Sequence, residues 1–259
     1  MSWYSFFKYA LVRPFVKVAY KARAVGEENI PATGGVIIAG NHTSATETYM
    51  IPALIKRQVT YPAKAELFKP GKGLKGIPKS IIAWAVKAVG QVPLDRFGGR
   101  AALDGLVPVL EVLRDGGVAG LFPEGTRSVD GRLYKGKTGV ARLALAAGVP
   151  VVPCAVLNGE ESGKLFGAIP MADHPVVRFG KPLDFRAYHG CGDDRAAVRW
   201  VTDEIMNAIM ELSGQTYVDA YGTSIKYGGM TLEEADARVR PRPGGDPAPA
   251  PCRPDAAAS

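Results

Sequence analysis

The sequence predicts an α/β fold, with a largely parallel central sheet flanked by helices. Two observations predict it: short apolar runs bounded by glycine or proline, and amphipathic stretches at helical spacing that alternate with them along the chain. A chain of 259 residues is long enough for one such domain plus an appendage, with a core of useful size. The expected division is a helical N-terminal element over 1–23, an α/β domain over 24–236 and a Pro/Ala-rich disordered tail over 237–259.

The opening stretch, MSWYSFFKYALVRPFVKVAYKA, places Trp3, Phe6, Phe7, Ala10, Leu11, Pro14 and Val18 on one helical face, with Arg13 and Lys17 on the other. Pro14 is favoured in a first turn, so two short helices are expected, at roughly 2–12 and 14–22. The pair is either packed on the domain or lies in a membrane interface, aromatics buried and cations toward head groups. GGVIIAG (34–40) reads as a buried strand and TETYMIPALIKRQ (46–58) as a helix. VTYPAKA is a strand, IPKSIIAWAVKAVG a helix and QVPLD a strand. A helix in GRAALDGLVPVLEVLRDGG ends at Gly116-Gly117, before the strand VAGLFP. A helix over 138–147 leads to the strands PVVPCAVL and PVVRFG, and an amphipathic helix over about 194–212 closes the domain.

The charge is +7, with a pI near 9.3, which favours anionic partners: nucleic acid, an anionic membrane surface or phosphorylated substrates. The basic residues are scattered and no nucleic-acid-binding motif occurs, so a nucleic-acid partner is not expected. No apolar run reaches the roughly 18 residues that a spanning helix needs. Cys154, Cys191 and Cys252 are too few and too far apart for a disulfide framework or a zinc site, and reduced thiols are expected. His174, His189 and Cys191 read as structural or surface residues.

His42 follows directly on the strand VIIAG, where residues past the carboxyl end of a strand line the ligand crevice of an open α/β sheet. Glu47 lies five positions on. Within one helix the two would be about 140° apart and could not meet. They can meet if His42 sits in the preceding loop and Glu47 in the first turn. Ser44-Ala45-Thr46-Glu47 also fits a capping box, in which Glu47 would reach back to a backbone N–H instead. LFPEGTRS places Glu124, Gly125, Thr126 and Arg127 after another strand, a turn glycine and a guanidinium suited to phosphate. The bland alternative is an ordinary turn with a surface ion pair. Arg96 and Lys64 add cations at two further strand ends. Together these residues make a site for an anionic substrate.

The ordered series NHTSATE, ELFK, GQVPLDR, FPEGTRS and GVPVVPCAV resembles the glycerolipid acyltransferase family, specifically the bacterial 1-acylglycerol-3-phosphate acyltransferases, over about residues 24–213. The pairing of N-H-x4-acid with FPEGTRS about 80 residues later is highly specific. The family pattern has aspartate where this chain has Glu47, one methylene longer. The resemblance implies His42 as general base, Glu47 as the carboxylate that orients it, and a glycerophosphate site of Glu124, Gly125, Thr126 and Arg127 with Arg96 and Lys64. It implies an N-terminal helical element resting on the membrane, and hence a peripheral protein on the cytoplasmic face of the cell membrane.

The expected reaction moves an acyl group from an acyl thioester, acyl-CoA or acyl carrier protein, to the free hydroxyl of 1-acylglycerol-3-phosphate. It calls for no metal or bound cofactor, and acyl carrier protein is a possible partner. Two alternatives stand beside it: acylation of another lysolipid or glycolipid acceptor, and a non-catalytic peripheral protein that binds anionic lipid.

Overall fold

The computed structural model describes residues 3–64, 92–94, 105–160, 162–165 and 169–252. Arg96 and the helix expected at IPKSIIAWAVKAVG lie outside the described residues. Its elements, in order, begin with α1 (Trp3–Phe7), a π-helical turn (Lys8–Val12), α2 (Arg13–Val18), β1 (Arg23–Val25), β2 (Val36–Gly40) and α3 (Glu47–Leu54). β3 (Val59–Thr60), β4 (Pro62–Lys64), β5 (Val92–Leu94), α4 (Val107–Arg114), β6 (Val118–Leu121) and β7 (Leu133–Tyr134) follow. Then come α5 (Gly139–Ala147), β8 (Val151–Leu157), β9 (Gly163–Leu165), β10 (Ile169–Met171), β11 (Val176–Phe179) and α6 (Arg195–Ser213). The chain continues through β12 (Tyr217–Val218), α7 (Gly222–Lys226), α8 (Leu232–Asp236) and β13 (Val239–Arg240).

The main sheet has six strands in the order β1-β11-β8-β2-β6-β3. Four of its five pairings are parallel; β11 runs antiparallel to β8. The two-residue period of the strands divides the core between the faces. Ile37, Ala39, Ala119, Leu121 and Val151 pack with apolar residues of α4, α5 and α6. Val36, Ile38, Val118, Val152, Cys154, Val156, Val177 and Phe179 pack with Val16 of α2, Tyr20, and Met50, Ile51 and Leu54 of α3. Each fully buried Val, Leu or Ile among them contributes roughly 1.5–3 kcal/mol, and the sheet's central strands supply many of them.

VTYPAKA does not form one strand. It breaks at Tyr61, giving β3 in the main sheet and β4 in a separate pair with β5, since Pro62 has no N–H to continue the ladder. The N-terminal element packs on the domain along one side: Val16 and Tyr20 are buried, the Tyr20 and Tyr49 hydroxyls are 2.6 Å apart, and Lys8 Nζ donates to the carbonyls of Lys56 and Arg57. Its other side leaves Phe6, Tyr9, Leu11 and Val18 exposed.

Cys191 and Cys252 form a disulfide, where reduced thiols were expected. They are 61 positions apart in the sequence, so only the folded path brings them together. The tail as far as Cys252 runs against α6: Arg242 pairs with Glu204, and the Tyr188 hydroxyl donates to the Pro249 carbonyl. Among the described residues no helix is long and apolar enough to cross a membrane.

Candidate active site

Three adjacent parallel strands, β8, β2 and β6, bring their carboxyl ends together, with Gly40 opposite Cys154 and Ala39 opposite Leu121. The loops that leave them are Asn41–Thr46, the turn after Phe122, and Asn158-Gly159. His42 lies in the first loop. Its Nδ1 is 2.6 Å from Glu47 Oε2, at the first residue of α3. His42 retains 17% side-chain exposure, whereas Glu47 has none. In the tautomer that donates Nδ1–H to this buried carboxylate, Nε2 carries the free lone pair.

The other oxygen of Glu47 works on the backbone. Oε1 accepts from the Thr43 and Ser44 N–H groups, both at 2.8 Å, and from the Thr43 hydroxyl at 2.7 Å. The steering and reach-back geometries therefore coexist, one per oxygen. The capping box itself is not formed as its spacing implies. The helix starts two residues after the position that Ser44 would cap, Thr46 is its N-cap, and Ser44 Oγ accepts from the Thr46 N–H. The displaced start lets the chain bend through Thr43 and Ser44, which places His42 off the helix and within reach of Glu47.

Asn41 anchors the loop from below. Its Oδ1 accepts from the Val156 N–H at 2.9 Å, and its Nδ2 donates to Gln215 Oε1 at 2.9 Å. Gln215 in turn donates to the Gly131 carbonyl. The imidazole stacks on Phe122, with ring centroids 4.0 Å apart, and Phe122 stacks on Tyr61. That stack needs Gly120: a Cβ there would fall 2.4 Å from Tyr61 Cζ.

Glu124 is 1% exposed and does not face solvent as a substrate ligand would. Its Oε1 accepts from the His42 N–H at 3.0 Å and its Oε2 from the Tyr134 N–H at 3.1 Å. Expected at the phosphate site, Glu124 has both oxygens on backbone N–H groups, which ties the histidine loop to β7. Burial pushes its carboxyl up to about 8, against the lowering effect of those two N–H groups, with the charge of Glu47 adding to the rise. The Ser128 N–H closes the link by donating to the His42 carbonyl at 2.7 Å.

Gly125 sits at φ +69°, a left-handed position that glycine takes at no steric cost. A Cβ on it would approach Lys137 Cδ to 2.9 Å and Nζ to 3.2 Å, so the Lys137 side chain crosses the turn at the glycine. The Thr126 hydroxyl accepts from Lys226 Nζ at 3.0 Å. Arg127 is exposed, and its guanidinium has no hydrogen bond or ion pair among the described residues. Lys64 is the last residue of β4, opposite Leu94 of β5.

Phe122, Lys137, Gln215 and Lys226 were not singled out by the sequence reading. Phe122 had a local signal, an aromatic between the strand and the turn. Lys226 had none, since it meets Thr126 across 100 residues. Among the described residues no group of three or more His, Cys, Asp or Glu side chains is placed to hold a metal ion. A cavity of about 350 Å³ between α4 and α5, lined by Leu106, Leu110, Arg142 and Leu143 among others, shares no residue with the dyad or the turn.

The domain thus carries an imidazole–carboxylate pair and an exposed guanidinium on the loops that follow two neighbouring parallel strands. The sequence profile of the acyltransferase family matches residues 21–157, just over half of the chain, and the chain belongs to that family. It is 35% identical over 162 residues to the chloroplast 1-acyl-sn-glycerol-3-phosphate acyltransferase of Arabidopsis thaliana, covering 61% of this chain and 42% of the relative. It is 31% identical over 144 residues to the 1-acyl-sn-glycerol-3-phosphate acyltransferase of Bacillus subtilis, covering 55% and 65%. The chain spans about half the length of the curated relatives it matches. In fold it is similar to the crystal structure of the 1-acyl-sn-glycerophosphate acyltransferase of Thermotoga maritima, with a TM-score of 0.53, 23% identity and 78% of each chain covered.

Proposed function

We propose that this protein transfers an acyl group from an acyl thioester, acyl-CoA or acyl carrier protein, to the free hydroxyl of 1-acylglycerol-3-phosphate, making phosphatidate. The observation that carries this reading is the 2.6 Å contact of His42 with the buried Glu47, one strand away from the turn that bears Arg127. His42 Nε2 takes the hydroxyl proton as the oxygen attacks the thioester carbonyl, a contribution of roughly 10²–10⁴ in rate. The carbonyl carbon becomes tetrahedral and collapses with loss of the thiolate, which recovers the proton from the imidazolium. Glu47 holds the tautomer and stabilises the imidazolium. Arg127, with Arg96 and Lys64, holds the acceptor phosphate and so aligns the hydroxyl. Thr126 and Gly125 shape the turn.

Transfer is direct, with no acyl-enzyme. Cys154, the free cysteine, is buried, and burial pushes its thiol far above the usual range, which leaves no thiolate to attack. The division into a membrane-associating element over 1–23, a catalytic domain over 24–236 and a tail over 237–259 belongs to the same proposal, as does a peripheral position on the cytoplasmic face of the membrane. It is supported by Phe6, Tyr9, Leu11 and Val18, which remain exposed beside Arg13 and Lys17.

The test is a matrix of thioester donors against lysolipid acceptors, with phosphatidate formation as the readout. Phosphatidate from 1-acylglycerol-3-phosphate and at least one donor is expected, and His42→Ala is expected to abolish it while the melting temperature holds. No product with any donor, or undiminished turnover by His42→Ala, would overturn the reading.

A further inference from the structure

The turn at Gly125–Arg127 is covered by residues that lie beyond the family-matched segment. β12 runs parallel to β7, pairing Tyr217 with Leu133 and Val218 with Tyr134, and the Lys135 N–H donates to the Ala220 carbonyl. This pairing lays α7 directly on the turn. Gly222 at its start is packed so closely that a Cβ would sit 3.3 Å from Thr126 Cγ2. Lys226 at its end donates to Thr126 Oγ1 at 3.0 Å.

Charge pairing separates the cations of this region into two kinds. Arg132 is held by Asp130 and Asp236, and Lys135 by Asp219. Arg127, next to Thr126 in sequence, and Lys226, hydrogen-bonded to the Thr126 hydroxyl, have no carboxylate partner among the described residues. Both are exposed, and Lys226 holds only a neutral hydroxyl, which it can exchange for a stronger acceptor without leaving a charge unpaired.

We infer that Lys226 is a substrate-binding residue that, with Arg127, selects an acceptor bearing a phosphate monoester over one bearing a phosphodiester head group. This inference rests on the acyl-transfer reading above and names the substrate class at the same site. A monoester carries close to two negative charges at neutral pH, and a diester carries one and offers fewer free oxygens. A second uncompensated cation gains most from the monoester. Positioning by the α7 ammonium therefore discriminates acceptors by charge, not by acyl chain.

The experiment measures kcat and KM for 1-acylglycerol-3-phosphate and for its monomethyl phosphodiester, using wild type, Lys226→Ala and Lys226→Arg. Lys226→Ala should raise the KM for the monoester about tenfold, the scale of one charge-assisted hydrogen bond, with kcat and the donor KM changed less than about twofold. Lys226→Arg should recover most of the loss, and the diester should be nearly insensitive. An unchanged monoester KM, or an equal loss on both acceptors, overturns the inference. If wild type acylates neither acceptor, the acyl-transfer reading fails by itself, and glycerol 3-phosphate binding by calorimetry then decides. Affinity weakened about tenfold in Lys226→Ala supports the inference; equal affinities, or no binding to wild type, overturn it.

Discussion

Glu47 serves two masters at once, the imidazole through Oε2 and the Thr43–Ser44 backbone through Oε1. Glu47→Gln separates them. The amide oxygen can keep the backbone N–H groups, but the amide nitrogen then donates to Nδ1 and forces the lone pair off Nε2. Turnover should fall about 10²–10⁴-fold while the melting temperature moves by only a few degrees; full activity in this variant would leave Glu47 with the capping role alone. Glu124 makes a prediction of a different kind. Its folded pKa of about 8 lies above the ordinary carboxylate value, so the folded protein keeps a proton that the unfolded chain releases above pH ~4.3. The stability this group contributes is complete below that pH and is lost as pH rises through about 8, at no more than ~1.4 kcal/mol per pH unit. The urea midpoint of wild type should decline over this window relative to that of Glu124→Gln, and parallel pH profiles for the two would refute the account.

At the scale of elements, three neighbouring strand ends make the site and one helix start tunes it. β2, β6 and β8 are legible as apolar runs, and their parallel order gathers the loops at one edge of the sheet. The N-terminal helices divide their work by face. Val16 and Tyr20 bury against α3, whereas Phe6, Leu11 and Val18 are 48%, 56% and 75% exposed. Replacing Leu11 and Val18 by serine removes no buried side chain, so the melting temperature should hold. Co-sedimentation with anionic phospholipid vesicles should fall at least several-fold. Retained vesicle binding would show that the element is only a packing element.

For the molecule as a whole, the tail is the part that departs most from its composition. Rich in proline and alanine and without periodicity, it reads as disordered, yet through Cys252 it is tied to Cys191, Glu204 and Tyr188. A bond closing a loop of 61 residues removes unfolded-state entropy worth about 4 kcal/mol in the chain-entropy description. Cys252→Ser, or reduction of wild type, should therefore lower the melting temperature by several degrees. Among the described residues its contacts run to α6 and Tyr188 and not to the dyad, so the rate of acyl transfer should be unchanged in the same samples.

Hydrophobic period and glycine–proline punctuation were enough to read the layered α/β architecture, because strands buried on both faces must be apolar throughout. The strand-end position of His42 and the cationic turn at Arg127 were equally legible, since each follows an apolar run directly. Three things required the folded chain. The start of α3 at Glu47 depends on where the loop bends, and the S-x-x-E spacing alone places it two residues too early. The inward turn of Glu124 depends on N–H groups of His42 and Tyr134, 82 and 10 residues away, that only the packed loops present. Lys226 and Cys252 act on partners 100 and 61 residues distant. Local pattern carries periodicity and turn chemistry, but partners far apart in sequence meet only when burial of the sheet has fixed the path between them.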